Sequence, residues 1–189
     1  MSQRLIKILA AFFLVVAVAT NGFTLELPYL YRESRVEAAF LYNFAKFVTW
    51  PDRSFGDSRS PLVIAVFDNE SYEALREAIA GRQAGGRAVT VRKISGVDEV
   101  HLAHLLFIGV AETPRLSQLL AAVAGQPILT VSDIEGFASR GGMVELFKSE
   151  RKIRFGVHLT AVRSSGLNMS SEVLRLASFV RNADGKGGR

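Results

Sequence analysis

Three stretches of this chain are apolar with almost no polar alternation: Leu62-Val-Ile-Ala-Val-Phe67, Leu105-Leu-Phe-Ile-Gly-Val110 and Pro127-Ile-Leu-Thr-Val131. A strand with one wet face alternates apolar and polar side chains. A strand without that alternation is covered on both faces, the usual condition in parallel sheets. A fourth stretch, Ala88 to Ile94, does alternate and predicts a strand with one wetter face. Helix-length segments lie between these strands. Asp68-Asn69 caps a helix over about residues 70–80, where Tyr72, Leu75 and Ile79 share a face and Gly81 marks the stop. Residues 95–104 hold a short helix or turn. Thr113-Pro114 opens a helix over about 114–124, ahead of Gly125. Strand–helix alternation from 62 to 131 predicts a parallel sheet with right-handed crossovers.

The C-terminal third changes character. Gly142 to Phe147 and Ile153 to Val157 alternate around a polar turn, Lys148 to Lys152, and predict a β-hairpin. A short helix over about 159–165 ends at Gly166. Ser170-Ser171 then caps a last helix running to about Asn182, with Val173, Leu176, Ala177 and Val180 on one face. The fold class expected is an α/β three-layer sandwich. It has a mostly parallel central sheet, an added C-terminal β-hairpin and helices on both faces.

The N-terminal region carries an address. Arg4 and Lys7 form a positive segment, Ile8 to Val18 an apolar one, and Ala17-Val18-Ala19 a small-x-small cleavage site. Residues 1–19 therefore read as a signal peptide cleaved after Ala19, which implies export. The rival reading is a permanent anchor, and the apolar run is short of the roughly 20 residues that spanning requires. Residues 20–33 form a lead segment, 34–182 a single α/β domain and 183–189 a disordered tail. Ser34 and Glu37 have capping-box spacing at the start of a helix reaching Trp50-Pro51. Val36, Phe40, Phe44, Phe47 and Val48 recur along it at helical spacing, with Phe40, Phe44 and Phe47 as expected core. Tyr42, Lys46 and Trp50 lie off that stripe as candidate partner or dimer contacts.

Composition narrows the function. The net charge is +5, and Arg4 and Lys7 carry two of those five charges, so the mature domain keeps a mild, scattered excess rather than a nucleic-acid stripe. With no cysteine there is no disulfide framework, thiol catalysis or zinc–thiolate site. No serine-hydrolase elbow, zinc-protease helix or phosphate loop is present, so no catalytic residue is assigned. His101 and His104 share a spacing that suits one metal but have no acidic companion beyond Asp98 and Glu99, and they read better as ordinary residues beside a strand. Glu145, between Val144 and Leu146, faces either solvent or a pocket, and simple alternation favours solvent. Ligands of parallel sheets sit outside the carboxyl ends of the strands. Those ends carry Asp68, Asn69, Ser132 and Asp133, which are either helix caps and turn formers or a weak small-ligand site. His158, after a strand, joins them as a further weak ligand candidate.

Val36-Glu-Ala-Ala-Phe-Leu-Tyr-Asn-Phe-Ala-Lys-Phe-Val-Thr-Trp-Pro51 resembles the opening signature of the YfiR family of periplasmic proteins. The resemblance continues through Val63 to Phe67, Leu106 to Gly109, Ile128 to Asp133, Gly136-Phe137, Gly141 to Met143 and Lys152 to Phe155. It closes over Gly166-Leu167 and Ser170 to Ala177. It implies an α/β sandwich without enzymatic activity or cofactor, a homodimer, and a repressor that binds the periplasmic domain of a membrane-bound diguanylate cyclase. Lower cyclic di-GMP, and with it less biofilm and exopolysaccharide, is the implied output. Two departures stand out. Familiar members carry disulfides, and the pattern after the Arg-Phe strand has Glu and Asn where this chain has Gly156 and His158. The alternative reading is a periplasmic small-ligand sensor acting on another membrane signalling protein, such as a histidine kinase.

Overall fold

The apolar stretches lie side by side in an eight-stranded sheet. The computed structural model describes the backbone of residues 27–182 and the side chains of 34–182. The expected signal peptide (1–19), the start of the lead segment (20–26) and the tail (183–189) lie outside the described residues. In chain order the strands are β1 (Val48–Thr49), β2 (Leu62–Val66), β3 (Gln83–Ala84), β4 (Arg87–Lys93), β5 (Leu105–Ile108), β6 (Leu129–Ser132), β7 (Val144–Ser149), β8 (Lys152–His158), β9 (Asn168–Met169) and β10 (Phe179–Arg181). The helices are α1 (Leu27–Phe47), α2 (Asn69–Ile79), α3 (Leu116–Ala122), α4 (Leu159–Ser164) and α5 (Ser171–Leu176). The main sheet has the order β10-β8-β7-β6-β5-β2-β4-β3, and β1 pairs separately with β9. β4, β2, β5, β6 and β7 are mutually parallel. Chain growth reverses direction between β2 and β5, which makes this a doubly wound sheet.

Both faces of the central strands are covered. Ile64, Val66, Leu105, Phe107, Leu129 and Val131 point into one core with α1 and α2. Ala65, Leu106 and Ile108 point into the other, with Leu116, Leu119, Val100 and Phe137. This is the three-layer α/β arrangement with helices on both faces. The hairpin also forms: β7 and β8 pair antiparallel, with Ser149 opposite Lys152. Its two-residue turn places Glu150 (φ 50°) and Arg151 (φ 61°) in the left-handed region, as the right-handed twist of a tight hairpin demands.

The first helix departs from expectation in start and rotation. It begins at Leu27, seven residues before Ser34. Pro28 lies in its first turn, where a missing N–H costs nothing. Ser34 is thus inside the helix and no cap. Its hydroxyl instead donates to the Glu70 carboxylate at the start of α2. The buried stripe is Ser34, Ala38, Leu41, Phe44 and Ala45, while Phe40 and Phe47 are only partly buried and Val36 is 45% exposed. Phe44 meets Phe155 of β8 edge to face at 5.2 Å. Burying a side chain such as Leu41 or Phe44 is worth about 1.5–3 kcal/mol. The exposed Arg35–Glu77 pair at 3.9 Å belongs to a class worth under about 1 kcal/mol. Apolar contact therefore docks α1.

The last helix is shorter than expected. α5 stops at Leu176, and Phe179 to Arg181 join the sheet as β10, parallel to β8. Phe179 and Val180 favour a strand, and Gly156 makes room for it. A Cβ at Gly156 would lie 2.0 Å from Cζ of the Phe179 ring. The same ring stacks on Phe147 at 6.0 Å.

At the amino edge of the sheet, Trp50 is buried and its indole N–H donates to the His104 carbonyl at 3.0 Å. His104 is itself committed. Its Nδ1 accepts from the Val63 N–H at 3.1 Å and its Nε2–H donates to the Ser54 carbonyl at 3.0 Å. Phe55 stacks on its ring at 4.5 Å. Burial is the main influence on its pKa and holds it below the usual histidine range.

A Gly156→Val substitution is expected to cost about 2 kcal/mol or more in urea unfolding. The loss should be smaller when Phe179→Ala is already present, because the two side chains compete for one space. For His104 the unfolded chain takes up the proton first. Stability linked to neutral His104 is complete above about pH 6.5 and is lost as pH falls through its depressed native value. Denaturant midpoints at pH 7 and pH 5 check this, with His104 followed by NMR titration.

Candidate functional site

The carboxyl ends of the parallel strands gather most of the polar residues that strand-end reasoning picks out. Asp68 follows β2, Ser132 ends β6, and Asp133 comes next in the chain. Their roles differ. Asp68 caps α2, its carboxylate accepting from the Ser71 N–H at 2.7 Å. Asn69 is exposed and accepts from Lys93 at 3.3 Å. Ser132 is fully buried and spends its hydroxyl inside the fold, donating to the Ile108 carbonyl at 2.6 Å and accepting from the Ile134 N–H at 3.0 Å. His158 belongs elsewhere. β8 runs against β7, so its last residue lies at the amino edge of the sheet, where Nδ1 is buried without a hydrogen-bond partner.

Asp133 is different again. Its Oδ1 is buried and has no hydrogen-bond partner. Burial is the largest influence on its carboxyl and raises its pKa above the ordinary aspartate value. The nearby Asp68 adds to the rise, while N–H groups of Asp133 itself and Val110, and more distantly Lys148, oppose it.

Beside Asp133 lies a cleft of about 700 Å³ along the carboxyl edge of β6 and β7. Val110, Phe147, Ile153 and Phe179 supply its apolar wall, and Glu135, Glu145 and Lys148 lie among its polar groups. Alternation fails to place Glu145, which is 9% exposed rather than on a wet face. The segment after β6 folds back over that side of β7. Glu145 holds it there, accepting from the Gly136 N–H at 2.9 Å and the Ala138 N–H at 3.0 Å. Gly136 (φ 72°) takes the left-handed backbone that aims these donors inward. A glycine-rich loop preceding a strand acid is the one sequence signal for this contact. Phe179 is missed by sequence reasoning because its segment reads as helix.

The surface candidates also separate. Tyr42 is half-buried, its hydroxyl donating to the Gln83 carbonyl at 3.1 Å and its ring 5.0 Å from the Arg82 guanidinium. Lys46 is exposed, with its ammonium 5.2 Å from the Phe47 ring centre. Trp50, expected beside them on the surface, is buried and bonded at the amino edge. Pro51 ends the extended segment, and the indole before it turns inward to the His104 carbonyl. Among the described residues no group of three His, Asp or Glu side chains is placed to hold a metal ion. Nor, among those residues, is any helix long and apolar enough to cross a membrane.

A family model described as YfiR/HmsC-like matches residues 34–178. Among solved structures the chain is similar to a conserved domain protein from Vibrio cholerae O1 biovar El Tor str. N16961. That match has 11% identity and a TM-score of 0.47, and covers 64% of this chain and 54% of that one. It is also similar to an ABC domain solved in complex with L-Trp from Streptococcus pneumonia, at 9% identity and a TM-score of 0.44, covering 64% and 55%. The chain thus spans about half the length of these structures.

Asp133→Asn is expected to raise the thermal midpoint at pH 7. The native carboxyl keeps its proton to higher pH than the unfolded one, so the wild type loses stability as pH rises from about 3.9 to the raised native value. The amide has no such loss, and the difference between the proteins should vanish below about pH 3.9. Calorimetric scans across pH measure it.

Proposed function

This chain belongs to the YfiR/HmsC-like family, and on that premise we propose that it is a non-catalytic periplasmic regulator. It binds the periplasmic sensor domain of an inner-membrane diguanylate cyclase and holds that enzyme inactive, lowering cyclic di-GMP. The observation that carries this reading is the family match over residues 34–178, which takes in nearly every described element. The signal-peptide pattern in residues 1–19 supports the location. The surface offered to the partner is the side of α1 bearing Tyr42 and Lys46, an aromatic and a cation one turn apart. Trp50 contributes by fixing the end of that helix rather than by contact. Self-association into a homodimer is part of the same reading.

The cleft beside Asp133 supports a second reading. In it the protein senses a small ligand and acts on a different membrane signalling protein, such as a histidine kinase.

Deleting the gene should raise cyclic di-GMP, and the wild-type chain should restore it and capture the cyclase in a pull-down. Lys46→Glu combined with Tyr42→Phe should lose repression by about tenfold while its thermal midpoint stays near wild type. Unchanged cyclic di-GMP together with no captured cyclase sinks the regulator reading. Repression that survives the double substitution removes that face of α1 from it.

A further inference from the structure

The carboxyl-edge cleft has the size, the wall and the unmet hydrogen-bonding capacity of a ligand site. Its volume of about 700 Å³ falls within the range of small-molecule pockets, which are mostly apolar with a few placed polar groups. It also lies outside the carboxyl ends of parallel strands in a doubly wound sheet, the end at which such sheets bind ligands.

Its chemistry is lopsided. The wall is built by Phe147 and Phe179, stacked at 6.0 Å, together with Ile153 and with Val110, which is 64% exposed at the rim. Native folds rarely leave a buried acceptor unpaired, and each such group calls for an explanation. Here the Oδ1 of Asp133 is that group. The neighbouring Glu145 does not share its condition, since both of its oxygens are satisfied by backbone N–H groups. Glu135 and Glu37 add negative charge around the same space, with Lys148 as the one base in the lining. An anion would meet four acids, Glu37, Asp133, Glu135 and Glu145, against the single ammonium of Lys148. A cation meets a partly desolvated carboxylate, where its attraction is stronger than in open water.

We propose that this cleft binds a small organic cation, an amine with an apolar body. Its ammonium donates to Oδ1 of Asp133, and its body packs against Phe147, Ile153 and Phe179. The bound amine supplies the hydrogen bond that the fold leaves unmade, so part of the burial cost carried by Asp133 is recovered on binding. The site rests on the small-ligand reading of this cleft and not on the cyclase reading. Failure of binding therefore leaves the cyclase reading untouched, and failure of repression leaves this site untouched.

Isothermal titration of the full chain with phenethylamine tests it, with hydrocinnamate as the anion of like shape and calcium chloride as a bare cation. Saturable binding of phenethylamine is expected, with hydrocinnamate weaker by about tenfold or more. Asp133→Asn should lose about tenfold in amine affinity while remaining folded. Phe179→Leu should weaken the amine while leaving the preference over the anion intact. The proposal is overturned if the amine shows no saturable heat or binds no better than the anion. It is equally overturned if Asp133→Asn binds it as the wild type does, or if calcium occupies the Asp133 site in its place.

Discussion

A sheet whose central strands are apolar on both faces has to be covered twice, and the rest of this fold follows from that constraint. β2 and β5 have no polar face to offer water. α1 and α2 close one side, and α3, the turn around Val100 and the loop carrying Phe137 close the other. The first cover explains why α1 is long and why its buried stripe carries small residues, Ser34, Ala38 and Ala45, between Leu41 and Phe44. The second cover is thinner. It relies on short helical turns, and over β6 and β7 it gives way to a polar surface of Thr130, Ser132 and Glu145 held under a loop.

That thinner cover creates the contrast at the carboxyl edge. Thr130, Ser132 and Glu145 each satisfy backbone N–H groups, so they act as side-chain substitutes for missing secondary structure. Asp133 sits one residue beyond Ser132 in the same crowded setting, yet keeps an acceptor unpaired. The difference separates polar groups that build the fold from one the fold only tolerates. Sites of the second kind store free energy that a partner molecule can release.

Much of the architecture was legible in the chain itself. Unbroken apolar runs reported two-sided burial, and Asp68, Gly81 and Gly125 marked helix limits at or near their observed places. What escaped was information held by neighbours distant in sequence. The final segment carries Val173, Leu176, Ala177 and Val180 at helical spacing, and only the vacancy at Gly156 on another strand turns its end into β10. Alternation put Glu145 in water because nothing in its own strand announces the loop folding over it. His158 follows a strand as the other candidates do, but the direction of β8 places it at the opposite edge. Ser34 looked like a cap because capping-box spacing is also the spacing of a helix face, and the true start lay a full two turns earlier. Of the candidate ligand residues, the sequence picked out Asp133 by its position after a strand but could not distinguish it from Ser132. The separation depends on which acceptors find donors in three dimensions.

The buried indole of Trp50, bonded to the His104 carbonyl, has an optical consequence. Trp50 is the sole tryptophan in the chain, so intrinsic fluorescence excited at the indole band comes from a single buried environment. That environment is the amino edge, where the indole N–H is held by the His104 carbonyl and β1, paired with β9, immediately precedes Trp50 in the chain. A red shift in its emission marks loosening of that edge, and events confined to the opposite edge leave the emission silent. The molecule thus carries a built-in spectroscopic gauge that reads one end of its sheet and ignores the other.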